Sequence, residues 1–271
     1  MIPATELDPA PESRRRIWFE IAVVAGLNLG ASAVYSIVNI VTRLTAGTPL
    51  GEQMTQLNPA RSPRPGVDLT LQLLSTGFAI FPVLLALYLL TIRRTARPLG
   101  EAIGLNWRGR DWGWGVGLAA AVGIPGLAFY ALGRAIGITV EVSTVGLDAH
   151  WWTIPVLILS ALRHGIVEEF LVVAYLFERT RDLGWRAAGR SGIDWRFVAI
   201  SSVFRGSYHL YQGIGPFLAN IAMGVLFAWW YQSRWGGRRV LPLVIAHWLI
   251  NTVAFVGYGL LPAAARAWLG F

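Results

Sequence analysis

The chain has no cysteine, which removes disulfide frameworks, thiolate nucleophiles and cysteine metal sites together. It has no lysine either, so all 23 basic residues are arginine, a compositional bias that carries no mechanism. Charge of either sign is scarce: 14% of the 271 residues are charged against 55% hydrophobic, and the mean hydropathy is +0.51. That balance excludes an ordinary soluble domain. Internal repeats and low-complexity tracts are also missing.

What the chain does have is apolar runs of about 20 residues, each long enough to cross roughly 30 Å of hydrocarbon as a helix. They fall at 17–41, 69–92, 112–132, 151–177, 197–211, 217–231 and 241–261. The expected fold is an all-α, polytopic transmembrane helix bundle of about seven to eight spans, the eighth arising if the last run breaks near Gly257 or the tail re-enters. The segments are then a cytoplasmic N-terminal stretch at 1–16, N-terminal transmembrane helices at 17–147, a core of transmembrane helices carrying the chemistry at 148–261, and a tail at 262–271. The first run is too long for a signal peptide and lacks an Ala-x-Ala cleavage pattern. Pro59, Pro63 and Pro65 mark the stretch 42–67 as a loop. Trp112 with Trp114, and Trp151 with Trp152, open two spans as interfacial aromatic belts.

A net charge of +8 raises nucleic acid as a partner, but the arginines cluster at the ends of the apolar runs. The stretches Arg14 to Arg16, Arg93 to Arg110, Arg179 to Arg196 and Arg234 to Arg239 alternate with arginine-poor loops. The positive-inside rule then places the N-terminus in the cytoplasm and the 42–67 loop outside. The partners expected are a lipid bilayer, as in a bacterial plasma membrane, and no nucleic acid.

Ionisable side chains at membrane depth are costly, so they normally face the bundle interior and serve function there. Three later spans carry them. One holds Glu168 and Glu169, with His164 one turn before; the next holds Arg205 and His209 at helical spacing; the last holds His247 and Asn251, four apart on one face. Counted from the flanking arginines at 1.5 Å per residue, these groups overlap in depth, roughly 12–20 Å from one end. A carboxylate beside histidine can take a proton from water, and a histidine with an amide can donate to a developing oxyanion. Glu168, His209 and His247 are also candidates to hold a divalent metal ion such as zinc, although no His-Glu-x-x-His spacing is present. With and without metal both stay open.

At these residues the sequence resembles the CAAX protease and bacteriocin-processing (CPBP) family of intramembrane proteases, also known as the ABI or type II CAAX prenyl protease family. The resemblance spans about Trp151 to Gly257 and rests on the Glu168-Glu169 pair, His209 in the next span, and His247-x-x-x-Asn251 in the last. It implies an intramembrane endopeptidase in which Glu168 and His209 activate water, Glu169 supports them, and His247 with Asn251 binds the oxyanion. The substrate implied is a peptide or membrane protein, lipid-modified in some relatives. Two positions depart from the pattern: Val173 stands where the first motif usually has arginine, and Arg205 where the second usually has phenylalanine. An arginine lost from one helix is then resupplied by its neighbour, with His164 and Arg205 in supporting positions. The other function class consistent with the cluster is a non-catalytic membrane protein, either a proton-coupled transporter or a bacteriocin-immunity-type scaffold.

Overall fold

The computed structural model describes residues 13–92, 98–143, 150–187 and 192–260. Among them are seven long helical stretches. α1 is Arg14–Leu44, α2 Pro65–Thr91 and α3 Arg110–Ala135. α4 is α-helical over Thr153–Glu168, becomes π-helical over Glu169–Tyr175 and finishes as Leu176–Asp182. α5 is Trp195–Ser207, α6 Ile214–Gln232 and α7 Leu241–Gly257. By length and composition α1, α2, α3 and α6 can each cross a membrane. The remaining three are the ones that carry the ionisable groups, or are shorter. The bundle is all-α as expected; an eighth span within 262–271 would lie outside the described residues, as do 1–12 and Arg93, Arg94 and Arg97.

The helix starts follow local chemistry. Ser13 Oγ accepts from the Arg16 amide at 3.3 Å to cap α1, and Asp194 Oδ1 accepts from the Arg196 amide at 3.1 Å to cap α5. Pro65 and Pro242 occupy first-turn positions of α2 and α7, where a missing amide proton costs nothing.

One end of the bundle carries an element that the all-α reading did not anticipate. β1, Met54–Gln56, pairs in parallel with β2, Glu141–Ser143, and Thr139 bridges to Gly213. Arg134 Nη1 reinforces this clip, donating to the carbonyls of Gly51 at 2.6 Å and Thr139 at 3.0 Å. The loops after α1, α3 and α5 therefore meet at the same end. At the opposite end Arg239 pairs with Asp111 on α3 and donates to Asn106 Oδ1 at 3.1 Å. Arg179, read from sequence as an interfacial anchor, is instead fully buried there. Its guanidinium contacts Glu20 of α1 and Asp182, the latter at 2.9 Å, because a buried cation needs carboxylates to replace its water.

Val24 of α1, Ala86 of α2, Leu118 of α3, Val172 of α4, Phe197 of α5, Phe227 of α6 and Leu243 of α7 belong to one apolar cluster, so packing runs on unbroken past residue 147. Outward, Leu27, Val34 and Val38 on α1, Phe78 and Phe81 on α2 and Ile124 on α3 stand exposed, an apolar surface suited to acyl chains rather than water. Two glycines let the helices that carry the ionisable groups close up. A Cβ at Gly165 would lie 3.0 Å from the Val244 carbonyl oxygen, and one at Gly224 2.7 Å from Ser202 Cα. Close backbone approach through small residues is how helices pack in lipid, and it draws α4 against α7 and α5 against α6.

Candidate active site

Glu168 is the last residue of the α-helical part of α4, and Glu169 the first of its π-helical part. A π-turn bonds i to i+5 and often marks a functional site. Here Ser201 Oγ of α5 donates to the Val172 carbonyl within that turn at 2.9 Å. Both carboxyl groups are buried, Glu169 completely.

Arg205, fully buried on α5, reaches across to both. Its Nη2 donates to Glu169 Oε2 at 2.8 Å and its Nη1 to Glu168 Oε2 at 3.3 Å, while the guanidinium carbon lies 5.6 Å from the Phe227 ring centroid. Bidentate guanidinium geometry suits two carboxylates side by side. Val173 is buried in the apolar cluster. The Tyr208 hydroxyl donates to Glu168 Oε2 at 2.7 Å, and His247 Nδ1 lies 2.6 Å from Glu169 Oε1. The same Nδ1 is 3.5 Å from Arg205 Nη1, so the shorter carboxylate contact assigns the Nδ1 proton and leaves Nε2 facing Glu168. Tyr208 is a site residue that the sequence reading missed; as an aromatic residue in an apolar run it looked like packing.

His209 does not share a helix face with Arg205, as its spacing suggested. α5 ends at Ser207, the His209 amide donates to the Gly206 carbonyl at 2.9 Å, and Ser36 Oγ of α1 takes the Tyr208 carbonyl at 2.9 Å. The chain thus turns before His209, whose Nε2 comes 4.0 Å from Glu168 Oε2. Neither ring nitrogen of His209 has a hydrogen-bond partner among the described residues. His247 Nε2 is likewise 4.0 Å from Glu168, on Oε1. His164 Nδ1 is 3.8 Å from that same Oε1, and its Nε2 contacts the Arg163 guanidinium. Asn251 is half-buried one turn beyond His247 and makes no hydrogen bond to the cluster. The structure therefore brings Glu168, Glu169, Arg205, His247, His209 and His164 together, with Asn251 at the margin.

A cavity of about 400 Å³ opens on this cluster, lined by Arg163, His164, Glu168, Tyr208 and His209 on one side and by α1 on the other. Glu168 Oε2 is engaged by Arg205 and Tyr208, whereas Oε1 makes no hydrogen bond among the described residues. One oxygen of a clamped carboxylate is left to act on a molecule in the cavity. Among the described residues no three or more histidine or acidic side chains are arranged to hold a metal ion. The Arg205 guanidinium, at 3.3 Å from Glu168, is the cation that this carboxylate meets among the described residues.

Comparison with known proteins bears on the stretch of chain that carries this cluster. No curated protein and no solved structure gives a significant match. The family model described as type II CAAX prenyl endopeptidase Rce1-like matches residues 150–253, a stretch that contains Glu168, Glu169, Arg205, Tyr208, His209, His247 and Asn251. The stretch from α4 to α7 is thus similar to type II CAAX prenyl endopeptidase Rce1-like proteins.

Proposed function

We propose that the protein is an intramembrane endopeptidase that hydrolyses a peptide bond with water activated by Glu168 and His209. The observation that carries the reading is the asymmetry of Glu168, with Oε2 tied down at 2.7 Å by Tyr208 and Oε1 left without a hydrogen bond 3.8 Å from His164 Nδ1 and 4.0 Å from His247 Nε2. The unpartnered His209 Nε2 stands 4.0 Å from Oε2 on the same carboxylate. A water at Oε1 gives its proton to that carboxylate, and its oxygen attacks the scissile carbonyl carbon. The carbonyl oxygen becomes an oxyanion that accepts from His247 Nε2–H, the ring acting as an imidazolium whose Nδ1–H is held by Glu169, with Asn251 one turn further as the second donor. Glu168, now a carboxylic acid, returns the proton to the leaving nitrogen as the C–N bond breaks. The products are a carboxylic acid and an amine, which leave as carboxylate and ammonium once the water's second proton passes between them.

The substrate in this reading is a peptide or membrane-protein segment, lipid-modified or not, presented at membrane depth. In this reading the protein lies in a bacterial plasma membrane with its N-terminus in the cytoplasm, an orientation that the arginine pattern supports. A proton-coupled carrier or an immunity scaffold built on the same carboxylates would leave peptides intact, so cleavage decides between them. The test is turnover of internally quenched peptides, prenylated and unmodified, by purified protein in detergent. Glu168→Gln and His209→Ala should each lower the rate roughly 10²–10⁴-fold without altering folding, and a chelator should leave it unchanged. Turnover near wild type in both variants overturns the assignment, and loss with chelator reinstates the metal.

A further inference from the structure

The wall of the cavity opposite Glu168 comes from α1, which lies outside the matched stretch 150–253. Asn28, Ser32, Ser36 and Asn39 line the cavity from α1; Ser32, Ser36 and Asn39, four and three apart, share one face of its α-helical part, and Asn28 joins them from the π-helical turn Gly26–Gly30. The opposite face of the same helix is Leu27, Val34, Ile37, Val38 and Val41, all exposed. Ser36 is occupied, bonding the Tyr208 carbonyl, and Asn39 accepts from Arg43 Nε at 2.7 Å. Asn28 and Ser32 are half-buried, and their side chains make no hydrogen bond to the described residues. An amide at membrane depth with no partner is expensive. Here it looks instead into a cavity whose far side holds the unpartnered His209 nitrogens.

We propose that this face of α1, with Asn28 and Ser32 as the hydrogen-bonding groups, is the docking wall for an extended peptide segment whose scissile bond lies over Glu168. From Asn28 to Asn39 the wall is about 16 Å long at 1.5 Å per residue, which matches about five residues of extended chain at roughly 3.3 Å each. Amides and hydroxyls both donate and accept, as the backbone of an extended peptide requires, and a helical substrate would have no free backbone groups to offer. The apolar remainder of the wall, Leu29 and Ala79, leaves side-chain selection to shape. The contact between Ser36 and the Tyr208 carbonyl joins this wall to the turn that presents His209. The inference rests on the endopeptidase reading for its scissile bond, but its binding arm does not.

The experiment pairs Asn28→Leu with Ser32→Ala in the full chain, with Val34→Ala on the lipid-facing side as control. A fluorescent, prenylated seven-residue peptide is titrated into the Glu168→Gln background, and KM and kcat are measured in the active background. The double variant should raise Kd and KM about tenfold, the loss of two hydrogen bonds of ordinary strength, with kcat changed much less, while Val34→Ala leaves all three unaltered. A benzoylphenylalanine placed at position 28 should crosslink the peptide and one at position 34 should not, which keeps the test decisive if the double variant folds poorly. Kd within twofold of the parent, or equal crosslinking from both positions, overturns the docking wall while cleavage by the parent still supports the endopeptidase. Absent cleavage with weakened binding in the double variant does the reverse.

Discussion

Removing the Arg205 guanidinium would leave two adjacent buried carboxylates with their shared counter-ion gone, and the structure allows the cost to be sized. Arg205 donates at 2.8 Å and 3.3 Å to Glu169 and Glu168, and its own side chain is fully buried. Breaking a buried ion pair by deleting one partner costs about 3–5 kcal/mol. At roughly 2–4 °C per kcal/mol for a chain of this size, Arg205→Leu should lower the melting temperature by about 6–20 °C. The assay is thermal unfolding of purified protein in detergent, followed by tryptophan fluorescence, beside Arg205→Lys, which keeps the charge and loses the fork, and should fall between. Arg205→Phe combined with Val173→Arg restores the arrangement usual in the resembled family and should recover part of the loss. A melting temperature for Arg205→Leu within about 2 °C of wild type would refute the reasoning, since a bridging guanidinium cannot be both central and dispensable.

Tyr208→Phe removes the donor to Glu168 Oε2 and should cost about 1.5–3 kcal/mol, as hydrogen bonds to charged groups do, slowing cleavage with KM nearly constant; stability and kcat equal to wild type would remove Tyr208 from the site. Cysteines at Thr48 and Arg186, both exposed, should label from opposite faces of sealed vesicles, and labelling from one face would overturn the span count. Gly213, at φ +112° with a Cβ position 2.8 Å from the Ile138 carbonyl oxygen, is unsuited to that substitution. A side-chain hydrogen bond from Arg196 holds the Asp194 carboxyl below the usual carboxylate range. Its stabilising contribution is therefore complete above the unfolded value of about 3.9 and lost as pH falls through the lower folded value. The melting-temperature gap between wild type and Asp194→Asn should accordingly shrink below about pH 4, and a constant gap would contradict the linkage.

The class and the number of helices were legible because hydrocarbon thickness demands long apolar runs, and the glutamates and histidines because nothing else explains ionisable groups at that depth. Other features leave no such mark. Glu169 to Tyr175 reads as plain helix, since α- and π-turns use the same residue types. His209 keeps a four-residue spacing from Arg205 that would mean a shared face only if the helix continued past Ser207. β1 and β2 span three residues each, below the length at which alternation can be seen. Arg179 resembled a headgroup anchor until Glu20, 159 positions away in the chain, was brought beside it. Asn28 and Ser32 are single polar residues in a run otherwise suited to lipid, and only the cavity gives them a common direction.

The π-turn also makes α4 a helix with two phases. Each i to i+5 turn holds one more residue than an α-turn, so the face that presents Glu168 and the face that presents Arg179 are offset relative to an unbroken α-helix. The upstream half answers to Arg205 and Tyr208, and the downstream half to Glu20. Forcing residues 169–175 into plain α-turns without removing one would keep every side chain that does chemistry, yet rotate the downstream half by about 100° and swing Arg179 away from α1. A chain with an intact set of ionisable groups would then fail at assembly. Related sequences aligned across this stretch without gaps should share the extra residue even where the side chains that fill it differ.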